Sequence, residues 1–191
     1  MRIARMISPV HSLGPGERIC LWTQGCGKNC PGCISPELQP FSGEDIAEDL
    51  LAQILIQTAS AGGCRGLTIS GGDPMEQPQA LLALLHRVRP HFDDILLYTG
   101  FTLEAIRSGS CSEAARQCLS YIDVLIDGPY IQSRNHPGCV LRGSDNQIIH
   151  YLRPECAQVY AAYLQQGRKL ETFSHNGHMI ITGIPDRREN F

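Results

Sequence analysis

The chain has no long apolar run. Its densest aliphatic stretches, Leu81–Leu85 and Ile95–Leu97, fall far short of the ~20 residues a membrane-spanning helix needs. A membrane is therefore not an expected partner. It also has little excess charge of either sign: 16 Lys and Arg against 19 Asp and Glu leave a formal charge of −3. A general nucleic-acid binder would carry a basic stripe, so nucleic acid is not expected either. Met1-Arg2-Ile3-Ala4-Arg5-Met6 is charged and lacks the apolar centre of a secretory leader, which points to the cytoplasm. There is no internal repeat, low-complexity tract or interdomain linker. The 191 residues read as one domain, 1–191, long enough to bury a real core.

What is abundant is cysteine. Nine is a high count and an odd one, and without a secretory leader such residues read as metal ligands or free thiols. Cys20, Cys64, Cys111, Cys118, Cys139 and Cys156 are scattered, form no C-x2-C pair, and read as small buried hydrophobes. Cys26, Cys30 and Cys33 differ. They stand at C-x3-C-x2-C in the loop Cys26-Gly27-Lys28-Asn29-Cys30-Pro31-Gly32-Cys33. Thiolates at this spacing can wrap one iron–sulfur cluster. Three are one short of the four that close an electron-transfer cluster, so a [4Fe–4S] site here would leave one iron open for another ligand. Spacing alone also allows zinc with a fourth ligand elsewhere. A disulfide fits poorly, because the loop is tight and nothing suggests an oxidising compartment.

Around this loop, strand and helix patterns alternate. Arg18–Thr23 reads as a strand running into the cysteines. Glu44–Ala59 has helical periodicity, with Ile46, Leu50, Leu51, Ile54 and Leu55 on one face and Ser42 as its N-cap. Gly66–Ser70, Asp94–Tyr98 and Tyr121–Ile126 read as strands; Pro78–Val88, Thr102–Ser108 and Ser112–Leu119 read as helices. Gln147–Leu152 is a further strand, Pro154–Gln166 a helix opened by proline, and His178–Thr182 a last strand. Such alternation implies βαβ units and a mainly parallel sheet. A full eight-unit barrel takes ~250 residues, so an α/β partial (open) barrel, or an open α/β sheet, is expected. In both, ligands sit at the carboxyl ends of the strands. That rule would gather the cysteine loop, Gly71-Gly72-Asp73-Pro74, Thr99-Gly100 and Asp127-Gly128 at one mouth. Gly71 and Gly72 would let backbone approach a ligand closely. Asp73 would cap the next helix or hold a polar network.

These motifs, with Leu13-Gly14-Pro15-Gly16-Glu17-Arg18, Gln24-Gly25-Cys26, Tyr98-Thr99-Gly100-Phe101, Asp123–Gly128 and Arg142–Gln147, resemble the radical S-adenosylmethionine (radical SAM) superfamily. Within it they are most similar to the activating proteins of anaerobic ribonucleotide reductase. The resemblance covers 1–153 as a family-like core; 154–191 is a C-terminal extension. It implies a radical SAM fold in which Cys26, Cys30 and Cys33 ligate a [4Fe–4S] cluster whose fourth iron is chelated by S-adenosyl-L-methionine. Gly32, Cys33 and Ile34 would border the adenine, and Gly71, Gly72, Asp73 and Pro74 the methionine amino group. Thr99, Asp127 and Asn146 would line the rest of the mouth. The implied reaction is reductive cleavage of SAM to a 5′-deoxyadenosyl radical that takes hydrogen from a backbone glycine of a partner enzyme. Flavodoxin or ferredoxin would supply the electron.

No Ser–His or Cys–His arrangement is then needed, and His175 and His178 read as residues of a solvated turn. An incomplete wall would leave room for a protein loop. Ile34-Ser35 departs from the polar or aromatic residue common in the family, and the extension is read as structural, though it could contact a different partner. Other readings are a radical SAM enzyme acting on another glycyl-radical enzyme, a peptide or a small molecule, and a non-catalytic Fe–S or zinc module. The last leaves Gly71–Pro74 without a purpose.

Overall fold

The computed structural model describes residues 1–175 and 178–186. In chain order its elements are β1 (Ile3–Val10), β2 (Arg18–Thr23), α1 (Glu48–Gly62), β3 (Gly66–Gly71), α2 (Pro78–Val88), β4 (Asp94–Tyr98), α3 (Leu103–Arg107), α4 (Glu113–Cys118), β5 (Val124–Asp127), β6 (Ile148–Tyr151), α5 (Ala157–Leu164), β7 (Leu170–His175) and β8 (His178–Gly183). Strands β1 to β6 form one sheet in sequential order, and β7 and β8 pair separately. Neighbours β2 to β5 are parallel, whereas β1 and β6 join their neighbours antiparallel. The fold is thus mixed α/β with a mainly parallel six-stranded sheet.

Sequential parallel strands need crossovers of one hand, and these put the connecting helices on one face. The packing agrees. Ile19, Leu21, Leu67, Ile69, Ile95, Leu97 and Leu125 point to one side and share a buried cluster with α1, α2, α3 and α4 residues such as Leu55, Leu84, Ile106 and Cys118. The alternate residues point to the other side. There Leu96, Val124 and Ile126 meet Tyr160 and Tyr163 of α5, while Val10, Cys20 and Trp22 meet Phe173 and Ile184. The C-terminal extension therefore covers the sheet face that the helices leave bare.

Local rules explain most element ends. The hydroxyls of Thr102 and Ser112 accept from Ala105 N (3.2 Å) and Ala115 N (3.0 Å), capping α3 and α4. Gly63, at φ +69°, ends α1 in the left-handed conformation. The start of α1 differs from expectation: it begins at Glu48, not near Glu44, and Ser42 is not its cap. Residues 45 and 46 instead run beside the N-terminal strand, with an Arg2–Asp45 bridge and Ile46 N donating to Met1 O at 3.0 Å. This shifts the buried face of α1 to Leu51, Ala52, Leu55 and Ala59, and leaves Leu50 53% exposed. Strands β1 and β7 were not foreseen. The Ser174–His178 stretch is not a plain turn: His175 ends β7 and His178 opens β8, and residues 176–177 lie outside the described set.

Candidate functional site

The carboxyl ends of β2, β3 and β4 open onto one cavity of about 350 Å³. Cys26, Cys30 and Cys33 all line it, together with Gly32, Ile34, Gly71, Gly72, Asp73 and Thr99. The three thiols are free and partly exposed. Their loop turns through left-handed backbone at Asn29 (φ +48°) and Gly32 (φ +71°), and Cys33 N donates to Cys30 O at 3.1 Å.

The cysteine loop is stitched to the β3 exit by backbone. Gly72 N donates to Thr23 O (2.8 Å) and Asp73 N to Gly25 O (2.9 Å), while Gly25 N and Cys26 N donate to Leu38 O and Gln39 O. The two segments lie so close that a Cβ on Gly71 would stand 2.2 Å from Thr23 N, and one on Gly72 would stand 2.3 Å from Gly25 O. These glycines are needed by chain packing against Thr23 and Gly25, a requirement separate from the ligand approach expected from sequence. Glu76 adds a side-chain stitch, its Oε1 accepting from Gly27 N at 3.1 Å.

Asp73 does both things proposed for it. Its carboxylate, 1% exposed, accepts from Met75 N (3.0 Å), capping the short 3-10 turn Pro74–Glu76. It also accepts from Thr99 Oγ1 and Gly100 N, each at 2.8 Å, and so ties the β3 exit to the β4 exit. Burial pushes its carboxyl up from 3.8 to about 6, against the pull of those three hydrogen bonds. A carboxyl raised in the folded state contributes stability that is fully present below about pH 4 and lost as pH rises to about 6, on the order of 3 kcal/mol. Wild type should therefore gain stability relative to Asp73→Asn between pH 7 and pH 4.5. Urea unfolding of both proteins at the two pH values checks the sign, since every other carboxylate cancels in the difference.

Not every expected residue lies in this cavity. Pro74 is buried behind it, at the first position of the 3-10 turn. Asp127 and Asn146 line a second, shallower recess beside α3. Asp127 Oδ2 accepts from Leu103 N at 2.6 Å, at the start of α3, and Oδ1 lies 3.0 Å from His150 Nε2; Asn146 Nδ2 donates to Pro129 O. Gly128 lines both openings. Sequence reasoning did not single out Lys28, whose ammonium sits 3.3 Å from the Phe101 ring centroid, or Arg5, which stacks over Trp22; both line the cavity. The hint was there for Lys28, a lone cation inside the cysteine loop.

The donor set suits a cluster. It comprises three soft sulfur donors in one turn-rich loop on a cavity rimmed by backbone. Among the described residues, no three His, Cys, Asp or Glu side chains converge on a single-ion site. Burial holds the Cys26 thiol above its ordinary range, so loading metal there must displace a proton.

Comparison with known proteins accords with this chemistry. Residues 12–150 match the family described as a 4Fe-4S single cluster domain. An anaerobic ribonucleoside-triphosphate reductase-activating protein of Haemophilus influenzae is 37% identical over 143 residues, 72% of this chain and 89% of the relative. Proteins of the same name from Escherichia coli K12 and enterobacteria phage T4 are each 33% identical, covering 73% and 71% of this chain and 92% and 85% of their own. Among solved structures, QueE from Escherichia coli aligns over 52% of each chain at 21% identity and a TM-score of 0.39, too loose a likeness to carry weight. With three cysteines on one strand-end cavity and two thirds or more of the chain aligned, the protein belongs to the 4Fe-4S single-cluster family and to its anaerobic ribonucleoside-triphosphate reductase-activating branch.

Proposed function

We propose that this chain is a radical SAM activase that generates a glycyl radical on anaerobic ribonucleotide reductase, with a flavodoxin or ferredoxin as electron donor. The observation that carries the reading is the convergence on one cavity of Cys26, Cys30 and Cys33 with the backbone exits Gly71–Asp73 and Thr99-Gly100. Cys26, Cys30 and Cys33 would hold a [4Fe–4S] cluster, leaving one iron for the amino and carboxylate groups of SAM. When bound, cluster and SAM together supply a 5′-deoxyadenosyl radical able to take hydrogen from a glycine Cα.

The chain's own part is placement. Gly32, Cys33 and Ile34 would border the adenine, and Gly71 to Pro74 the methionine end. Asp73 fixes the β3 and β4 exits relative to each other, so the two backbones present their polar groups as a unit. Lys28 lines the cavity with its ammonium on the Phe101 ring. Asp127 and Asn146 would shape the rim from the neighbouring recess. On this reading residues 1–191 form a single radical SAM domain, and the sequential strand order with α1 to α4 on one face supports a sheet curled as a partial barrel. No helix among the described residues is long and apolar enough to cross a membrane.

The test is anaerobic reconstitution with iron and sulfide, reduction, and chromatography for 5′-deoxyadenosine after adding SAM, followed by electron paramagnetic resonance of the reductase. Wild type should give the nucleoside and a glycyl radical. A Cys26, Cys30, Cys33→Ala triple variant should give neither and should hold no cluster. Zinc in place of iron in the wild type would refute the assignment.

A further inference from the structure

The family match ends at residue 150, and the chain then adds α5, β7 and β8. This addition does more than cover the sheet. It is latched at two places, one at each lateral end of the six-stranded sheet. At the first, Glu171 Oε2 accepts from His11 N (2.8 Å) and Ser12 N (2.7 Å), in the β1–β2 connection, and Ser12 Oγ pairs with Thr182 Oγ1 at 2.9 Å. At the second, Arg168 donates to Asn135 Oδ1 (2.7 Å) and His136 O (2.6 Å) in the β5–β6 connection, and within the extension to Pro185 O (2.6 Å). The extension therefore bridges the two ends of the six-stranded sheet. Between the latches, Ile181, Thr182, Gly183, Ile184 and Pro185 line the same cavity as the three cysteines.

The wall expected to be missing is thus supplied by the tail. With it in place the cavity measures about 350 Å³, close to the low end of the ~300–1,000 Å³ that small-ligand sites span. Ile181–Pro185 take up part of the lining that an incoming polypeptide segment would otherwise meet. The wall is also apolar on the inside, where Ile184 packs with Trp22 and Val10.

We propose that the C-terminal hairpin is the specificity-determining wall of this site. With both latches closed it admits a small cofactor and excludes polypeptide, so a glycine-bearing segment reaches the cavity only by displacing Ile181–Pro185. The glycine-bearing partner in this statement rests on the activase reading; the wall itself does not. A partner that cannot engage the hairpin is refused even when its glycine segment has a suitable sequence.

The first arm of the test uses the full-length apo protein. Alkylation of Cys26, Cys30 and Cys33 is followed peptide by peptide with small iodoacetamide and with a bulky polyethylene-glycol maleimide. In wild type the bulky reagent should lag far behind the small one. Glu171→Ala and Arg168→Ala should speed bulky labelling about tenfold, as expected when ionic hydrogen bonds closing a local opening are lost, and change the small reagent little. Glu171→Gln, which keeps one acceptor, should fall between and serves if the alanine variant misfolds. The second arm uses the loaded enzyme with the reductase, where the unlatched variants should form the glycyl radical faster than wild type at limiting reductase. Equal labelling by both reagents in wild type, or unlatched variants that lose thermal stability with no change in size selectivity, would overturn the wall. Absence of 5′-deoxyadenosine from wild type would instead overturn the activase reading and leave the labelling result standing.

Discussion

Gly71→Ala is expected to cost about 2–6 kcal/mol, from ~1–3 kcal/mol of backbone strain and a similar penalty for overpacking. Gly71 sits at φ +116°, where an L side chain is strained, and its Cβ would stand 2.2 Å from Thr23 N and 2.4 Å from Thr23 O. Neither atom can step aside. Thr23 O is already the acceptor for Gly72 N, and Thr23 belongs to the β2–β3 ladder. The loss is a large share of the ~5–15 kcal/mol that holds an ordinary domain together. Gly63→Ala is the control: Gly63 also has positive φ (+69°), but nothing lies within 4 Å of its Cβ position. It should lose only the left-handed penalty of ~1–2 kcal/mol. Urea unfolding at constant slope separates the two. A Gly71→Ala protein as stable as Gly63→Ala would mean that the β2 and β3 exits can part, and that the cavity is not held by backbone contact.

This contrast also shows what kind of information the sequence carries. The order of strands and helices was legible because period-2 and period-3.6 patterns repeat along the chain, and Thr102 and Ser112 mark their helices as caps should. The gathering of strand exits at one mouth followed from chain direction alone. Direction itself is not written in a strand's pattern: Ile148–Tyr151 was foreseen as a strand, and its antiparallel pairing was not. Strand β1 was missed because it borders the sheet, carries Arg5 and Pro9, and is only partly buried, so its alternation is blurred. At the site, Gly71 and Gly72 line the cavity, and the backbone packing that requires them is not visible in the sequence. Asp127 and Asn146 were assigned by motif, whereas their side chains face α3 and Pro129; no motif reports which of two adjacent recesses a residue serves. The extension's latches were out of reach altogether, since Glu171 meets Ser12 and Arg168 meets Asn135 at separations of 159 and 33 residues that no local pattern announces.

Arg18 is the plainest case of a residue whose role only packing reveals, and it sets the second large effect. Arginine is rarely fully buried unless paired, yet Arg18 has no solvent exposure. It sits at the start of β2, at the end of the sheet remote from the cysteines. Its guanidinium donates to Thr68 Oγ1 (2.6 Å), Pro15 O (3.1 Å), Leu67 O (2.8 Å) and Asp94 Oδ2 (2.5 Å), and Asp94 Oδ2 also accepts from Tyr160 OH (2.8 Å). One buried cation thus joins the starts of β2, β3 and β4, and through Asp94 it holds α5. Asp94→Ala should cost about 3–5 kcal/mol, because it leaves a buried charge without its counter-ion. Arg18→Met should cost less: the abandoned carboxylate keeps Tyr160 as a donor to Oδ2, and its side chain is 19% exposed whereas that of Arg18 is fully buried. The double variant should then be more stable than Asp94→Ala alone, a coupling that a double-mutant cycle in urea reads directly. Because the pair lies at the opposite ends of the strands from the cavity, reconstituted cluster content at low temperature should be the same in all three variants and wild type. Loss of cluster in proportion to stability would instead tie the two ends of the sheet together, making the strand starts part of what shapes the site.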